Sequence, residues 1–390
     1  MQVHFIDNKQ QLIEICQQFA QSEFLAIDTE FFRQTTYYPI LALIQVCDGN
    51  EIAIIDPLAI DDLGPLMDVL YNENITKVFH SARQDLEIFY CLNLSVPDTL
   101  FDTQIAAALL GYGEQIGYAS LVKQLLNVEL DKSQTRTDWL KRPLTQKQIT
   151  YAADDVRHLA KLYPMQLKKL HEQGRFSWLE NDFLFLSRNS TYAPAPEGIW
   201  RKVRGVNKLK KQKLAILKNL AALREELAIK LNRPRRRVMS DDFLIELSMN
   251  PPATLAELHE LNSSKGKFLQ YNGDKIISLI QQGLKTLDQD CPVLPVIKKL
   301  SQNEEALADC LMAIIHVSAN NNNISPNSLC NRKEVDALIK GQRELNILSG
   351  WRNELAGKHL LTFLSGEGQL SYTSGQLELK STHKDTIAHE

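Results

Sequence analysis

The sequence predicts a mixed α/β module, a five-stranded sheet with helices on its faces, followed by two small all-α domains. Three observations carry this expectation. Short apolar runs rich in Ile, Leu and Val recur between polar turns in the first half, helical periodicity alone fills the second half, and proline-containing breaks separate the parts. The expected domains are 1–192, 200–286 and 293–372.

Phe24–Asp28, Ile40–Val46 and Ile52–Asp56 read as three strands, and their short connections favour an antiparallel meander. Lys77–Phe79 precedes a helical stretch at Gln84–Leu92, and a short strand near Leu100 precedes another at Thr103–Gly111. Such longer links favour parallel additions to the same sheet. A long helix, Thr145–Gln173, closes the module. Tyr192–Pro196 reads as a linker, with Tyr-Ala-Pro-Ala-Pro as its sequence. Beyond it, Asn207–Leu231, Ser240–Leu247, Thr254–Glu260 and Lys275–Gln282 carry helical periodicity. Asp290–Pro295 marks the next boundary, and the tail beyond about Ser371 is expected to fray.

Composition excludes several classes. Of 390 residues, 44 % are hydrophobic and 23 % charged, which is ordinary for a folded chain and unlike a disordered or fibrous one. No apolar run approaches the roughly 18 residues that span a bilayer, and Met1–Gln10 shows no leader pattern. A cytoplasmic, monomeric protein without membrane association is expected. Six cysteines lie far apart with no zinc-type spacing, so they read as inert thiols. The formal net charge of −3 conceals a strong asymmetry: residues 1–195 carry 16 basic and 25 acidic side chains, whereas residues 199–238 carry 14 and 2. An acidic module that concentrates cations precedes a basic element suited to a polyanion.

Asp28 and Glu30 end the first apolar strand two residues apart, so the period of 2 puts both carboxylates on one face. Two such charges repel unless a cation sits between them. Asp85 follows Val78-Phe79-His80-Ser81-Ala82 near a helix start, and Tyr151 and Asp155 share a face of the closing helix at i, i+4. Each alone reads as a strand end, a first-turn carboxylate or a surface pair. Together, in one order within one module, they form a set.

Asp28-Thr29-Glu30, the stretch Phe79–Asp85 and Tyr151 through Asp155 resemble the three exonuclease motifs of the DEDD superfamily, in its tyrosine-bearing subclass, on a ribonuclease-H-like fold. Asp28-Thr29-Glu30-Phe31 with Tyr37-Tyr38-Pro39 and Leu43-Ile44-Gln45 resembles the ribonuclease D family within it. Pro234–Leu258 and Tyr271 to Ile280 resemble an HRDC domain, with Asn262 where such sequences often carry glycine, and Gly350–Leu355 resembles the end of a second, HRDC-like domain.

The resemblance implies a 3′-5′ exoribonuclease that releases nucleoside 5′-monophosphates by two-metal hydrolysis and matures the 3′ ends of transfer RNA precursors and other structured RNAs. Hard divalent cations, Mg²⁺ or Mn²⁺, suit carboxylate oxygens, and two of them about 4 Å apart can stabilise both the attacking and leaving oxygens. It further implies that Asp28, Glu30 and Asp155 hold one ion, with Asp28 bridging to a second that Asp85 helps place. Tyr151, with an ordinary pKa near 10, then orients water rather than acting as a bulk base. Arg33 and Gln34 are expected at the terminal nucleotide, His80 is either an acid or a structural hydrogen bonder, and Arg235, Arg236 and Arg237 either contact RNA phosphates or form a solvated face. A 3′-5′ DNA exonuclease and a nucleic-acid-binding protein with a decayed site stay open as alternatives.

Overall fold

In the computed structural model, which describes residues 1–193, 196–261, 266–295 and 299–381, the apolar runs of the first half form a six-stranded sheet. Its strands are β1 (Gln2–Ile6), β2 (Phe24–Phe32), β3 (Ile40–Cys47), β4 (Glu51–Ile55), β5 (Thr76–Phe79) and β6 (Leu100–Asp102), in the spatial order β1-β4-β3-β2-β5-β6. β3 and β4 are antiparallel, with Gln45 opposite Ile54. Their turn is closed by Asp48, whose carboxylate accepts from the amides of Asn50 and Glu51 at 2.7 Å each. The pairs β1–β4, β2–β5 and β5–β6 are parallel. Each needs a crossover, supplied by α1 (Lys9–Phe19), α2 (Gly64–Leu70) and α3 (Arg83–Asn93).

The sixth strand, β1, escapes the sequence pattern because it is a short edge strand with exposed Gln2 and Val3. Its alternation is therefore blurred, and a side-chain pair with β4, His4 Nε2 to Glu51 Oε2 at 2.6 Å, helps to hold it.

Three helices complete this face of the chain: α4 (Thr103–Leu109), α5 (Tyr118–Leu126) and α6 (Gln146–Glu172). Thr145 caps α6 in a reciprocal pair with Gln148, which is why the helix starts there. Its buried stripe includes Ala152, Ala153, Val156, Leu159 and Ala160, joined in one apolar cluster with Ala26, Leu43 and Ile54 of the sheet. The alanines in that stripe let the helix backbone approach the strands closely, which brings its polar residues near the strand ends.

The chain divides into two compact units. The first comprises Met1–Glu30, Leu41–Thr191 and Lys298–Glu390. The sequence reading gives 293–372 a domain of its own, yet its helices α13 (Gln302–Asn321), α14 (Pro326–Leu329), α15 (Arg332–Ile339), α16 (Gly350–Arg352) and α17 (Lys358–Leu364) share an apolar cluster with the sheet module, after α7 (Glu180–Leu186) to α12 noted below. The seam is specific. The Trp178 and Trp351 rings stack 4.5 Å apart at 6°, Trp351 Nε1 donates to the Trp178 carbonyl at 3.1 Å, and Arg352 pairs with Asp182 at 3.0 Å. Of the tail expected to fray, residues 371–381 instead pair in a hairpin, β7 (Gly368–Thr373) with β8 (Gln376–Ser381), placing Leu370 opposite Leu379, and the rest lies outside the described residues. Both leucines pack on the cluster.

The second unit comprises Phe31–Ile40 and Tyr192–Ile297. It contains α8 (Gln212–Lys230), α9 (Arg235–Val238), α10 (Asp241–Met249), α11 (Leu255–Leu261) and α12 (Gly266–Leu284), around a core that includes Trp200, Leu217, Leu220, Leu244 and Ile276. Gly283 lets α12 approach α8: a Cβ there would lie 2.8 Å from the Ile216 backbone. Arg224 and Asp241 form a buried ion pair at 2.6 Å. Asn262, and Pro194 and Ala195 of the expected linker, lie outside the described residues. All six cysteines are free thiols, and among the described residues no helix is long and apolar enough to cross a membrane.

Candidate active site

Leu25, Ala26 and Ile27 anchor β2 in the core, so the chain reaches Asp28 with its direction fixed. Asp28 and Glu30 project from one face. The N-terminal half of α6 delivers Asp155, and one carboxylate oxygen from each of Asp28, Glu30 and Asp155 lies within 4.8 Å of the others. Asp85 stands in the first turn of α3, where the helix dipole favours it. Its carboxylate is tied to β2 directly, accepting from Thr29 Oγ1 at 2.5 Å. The structure thus brings three of the four expected carboxylates into one cluster and sets the fourth beside it on Thr29.

What holds Asp85 in place is Asp102, the last residue of β6. Its carboxylate caps α4 by accepting from Gln104 N at 2.8 Å. Across the loop it also accepts from Ser81 N at 3.0 Å and Ala82 N at 2.8 Å. Ser81 has φ 63, a left-handed conformation that serine adopts only where its surroundings impose it. Asp102 therefore fixes the turn from which α3 starts. Asp102→Ala leaves those amides without their acceptor and is expected to cost about 2 kcal/mol or more of stability and to lower turnover, as measured by urea unfolding and RNA trimming. An unchanged unfolding midpoint with unchanged turnover would show that the turn holds itself.

Electrostatics set the cluster apart. Burial pushes the Asp28 carboxyl well above the usual carboxylate range, and the charges of Asp155 and then Asp85 push it further. Glu30 rises to about 9, first through burial and then through Asp28 and Asp85. Asp155 rises well above its ordinary value through burial, Glu30 and Asp154. Asp85 rises to about 7 through burial, opposed by its Thr29 hydrogen bond. Four carboxylates destabilised as anions by burial and by one another match a hard divalent cation, whose charge removes the repulsion and whose preferred donors are these oxygens.

Tyr151 lies one turn before Asp155, its ring 5.9 Å from that of Trp139. Burial, then the Asp155 charge, raises its hydroxyl to about 12. The loop that carries Trp139 is fastened by Arg142, which grips Asp56 through Nε at 2.5 Å and Nη2 at 2.7 Å and donates to the carbonyls of Ala42 and Trp139. A cavity of about 440 Å³ opens beside Tyr151 and Asp155, with Tyr118, Lys132, Thr135 and Lys147 in its walls. Tyr118 donates its hydroxyl to the carbonyls of Asp154, at 3.2 Å, and Asp155, bracing α6 at the point where it meets β2.

Of the remaining sequence-predicted residues, His80 lies against Tyr118, ring centroids 5.5 Å apart, and the others belong to the second unit. His80 uses both ring nitrogens structurally, Nε2 donating to the Ile116 carbonyl at 3.0 Å and Nδ1 lying 2.9 Å from Thr103 Oγ1; burial depresses its pKa. Arg33 and Gln34 are exposed in the segment that folds with the second unit. Arg235 pairs with buried Glu225, and Arg236 with Asp241 at 3.1 Å, while the Arg237 side chain is exposed. Thr29, Asp102 and Tyr118 were not among the predicted residues. Only Asp102 carries a local signal, an Asp directly before a helical run, and that signal speaks of capping alone.

Comparison with known proteins agrees with this arrangement. A family model described as a 3′-5′ exonuclease matches residues 3–171, and one described as the HRDC domain matches residues 213–280. A ribonuclease D from Zymomonas mobilis subsp. mobilis is 37 % identical over 391 residues, spanning 99 % of this chain and 100 % of the relative. One from Pseudomonas paraeruginosa is 37 % identical over 370 residues, spanning 93 % and 98 %. The crystal structure of Escherichia coli RNase D, described as an exoribonuclease involved in structured RNA processing, aligns with a TM-score of 0.82 at 30 % identity over 94 % of this chain and 99 % of that one. With its carboxylates converging on one strand and two helices of such a fold, and with similarity running almost end to end, the chain belongs to the ribonuclease D family of 3′-5′ exoribonucleases.

Proposed function

We propose that the protein removes nucleoside 5′-monophosphates one at a time from the 3′ ends of RNA, with 3′-extended transfer RNA precursors among its substrates, in the cytoplasm and as a monomer. The observation that carries this reading is the convergence of Asp28, Glu30 and Asp155 within 4.8 Å, with Asp85 tied alongside. These residues would hold two divalent cations, Mg²⁺ or Mn²⁺. When bound, such ions supply Lewis-acid stabilisation of the phosphodiester and of its attacking and leaving oxygens.

The chain's own side chains do the rest. Tyr151 keeps its proton through the physiological range and directs a hydrogen bond at the attacking water, placing it without taking its proton. The cavity next to it receives the terminal nucleotide, with Lys132 and Lys147 offering positive charge to phosphate. Lys202, Lys208, Lys210 and Lys213 of the second unit are exposed and supply phosphate contacts without base specificity. Because Arg235 and Arg236 are engaged in ion pairs within their own unit, Arg237 is the member of that run best placed to add to this surface.

The test is direct. Incubated with 3′-extended transfer RNA or DNA of the same sequence, in Mg²⁺, Mn²⁺ or chelator, the protein is expected to release 5′-mononucleotides from RNA in a metal-dependent way. Oligonucleotide products, or equal activity in chelator, would overturn the reading.

A further inference from the structure

The segment Phe31–Ile40 follows Glu30 without a break, yet it folds with the second unit. Its attachment there is unusually complete for a connection between two strands. The backbone amides of Tyr37 and Tyr38 both donate to Asn232 Oδ1, at 3.0 and 3.1 Å. Asn232 itself sits at φ 46, a conformation asparagine tolerates better than most residues. The Tyr37 hydroxyl donates to Glu225, a carboxylate only 2 % exposed on α8. Arg235 completes the assembly: it donates to Glu225 through Nε and through Nη2 at 2.6 Å, reaches the Tyr37 oxygen at 2.9 Å, and lays its guanidinium 4.8 Å from the centre of the Tyr37 ring.

β2 ends at Phe32 and β3 begins at Ile40, so Tyr37 is tethered on both sides to strands of the sheet. Four residues, 33–36, separate it from the strand that bears Asp28 and Glu30, a reach of at most about 18 Å. We propose that Tyr37 is a positioning residue for the exonuclease reaction: anchored by Glu225, Arg235 and Asn232, it holds the Phe31–Ile40 segment that runs directly on from Glu30, so losing that anchor slows turnover at the carboxylate cluster. A buried carboxylate bonded by one hydroxyl and one guanidinium suits this task, because it forms with a single partner geometry.

The inference rests on the exonuclease activity and goes beyond it, and the test separates the two. A single-stranded pentaribonucleotide, too short to depend on the basic surface, serves as substrate. Tyr37→Phe, which keeps the ring, is expected to lower kcat about tenfold while leaving KM within about twofold, since small misplacements of catalytic groups are costly. Glu225→Gln should do the same, and the double variant should be no worse than the poorer single one. Tyr38→Phe should behave as wild type. Deuterium exchange should quicken in residues 24–40 of Tyr37→Phe, a readout that stands even were the wild type inactive on this substrate, an outcome that would count against the exonuclease reading alone. Unchanged kcat with unchanged exchange, an effect confined to KM, or strictly additive losses in the double variant would each overturn the positioning role.

Discussion

Asp155→Asn protein is expected to lose RNA trimming by about three orders of magnitude or more, and in metal-free buffer to melt at a higher temperature than wild type. The two effects have one cause. Among Asp28, Glu30, Asp85 and Asp155, every folded-state pKa is raised, by burial first and by neighbouring carboxylates as well. A group raised in this way contributes stability that is fully present below its unfolded pKa and is lost as pH rises through its folded pKa. For Glu30 that window runs from about 4.5 to about 9, and for Asp85 from 3.8 to about 7. The metal-free wild type therefore weakens across neutrality. The amide substitution removes one of the charges that bear on Asp28 and the burial of one anion, so the variant's advantage should grow from pH 5 to pH 9. Divalent cations should reverse the order, stabilising wild type far more than the variant, and their affinity should fall on acidification because protons compete for the same oxygens. Thermal melts with chelator or Mg²⁺ across that pH range decide it. A variant less stable than wild type at every pH in chelator, or an equal gain from metal in both, would sink the account.

A site that costs stability when empty also explains why its core was readable from residues alone. Asp28 and Glu30 share a face by strand period, Tyr151 and Asp155 by helix period, and both patterns are local. The supports are not. Tyr118 braces α6 from another element, and Thr29 was hidden between the two residues that drew notice. His80 sits in the second motif, but its partners, Thr103 and the Ile116 carbonyl, come from later segments. The same limit governs the fold. Periodicity placed α8, α10 and α11 nearly where they stand and caught only the C-terminal half of α12, but Trp178 and Trp351, 173 residues apart, decide that the C-terminal helices join the sheet module. Tyr37 and Glu225 lie 188 apart, and nothing near either residue announces the pairing. The basic run shows how charge counts mislead: Arg224, Arg235 and Arg236 contribute to it, and each is bound to a carboxylate of its own unit.

Tyr151→Phe tests what kind of chemistry the tyrosine performs. Turnover should fall by about two orders of magnitude with KM within a few fold, the size expected when one well-placed hydrogen bond to a reacting group is removed. The ring remains, so its packing on Trp139 and the fold of α6 should persist. Metal affinity should stay the same, since the carboxylates hold the ions. The more telling outcome is the pH profile. Burial is the largest cause of the rise in the Tyr151 pKa to about 12, and burial persists when cations offset the Asp155 and Glu30 charges that add to it. In the metal-free protein the hydroxyl therefore carries its proton across neutrality, and a tyrosine that only aims the water has no need to lose it during turnover. Wild type and Tyr151→Phe should accordingly show parallel profiles of log kcat against pH, displaced vertically. A base that must first lose its proton would instead give wild type a rising limb that the variant lacks, and that divergence would overturn the assignment of Tyr151 as the group that aims the water.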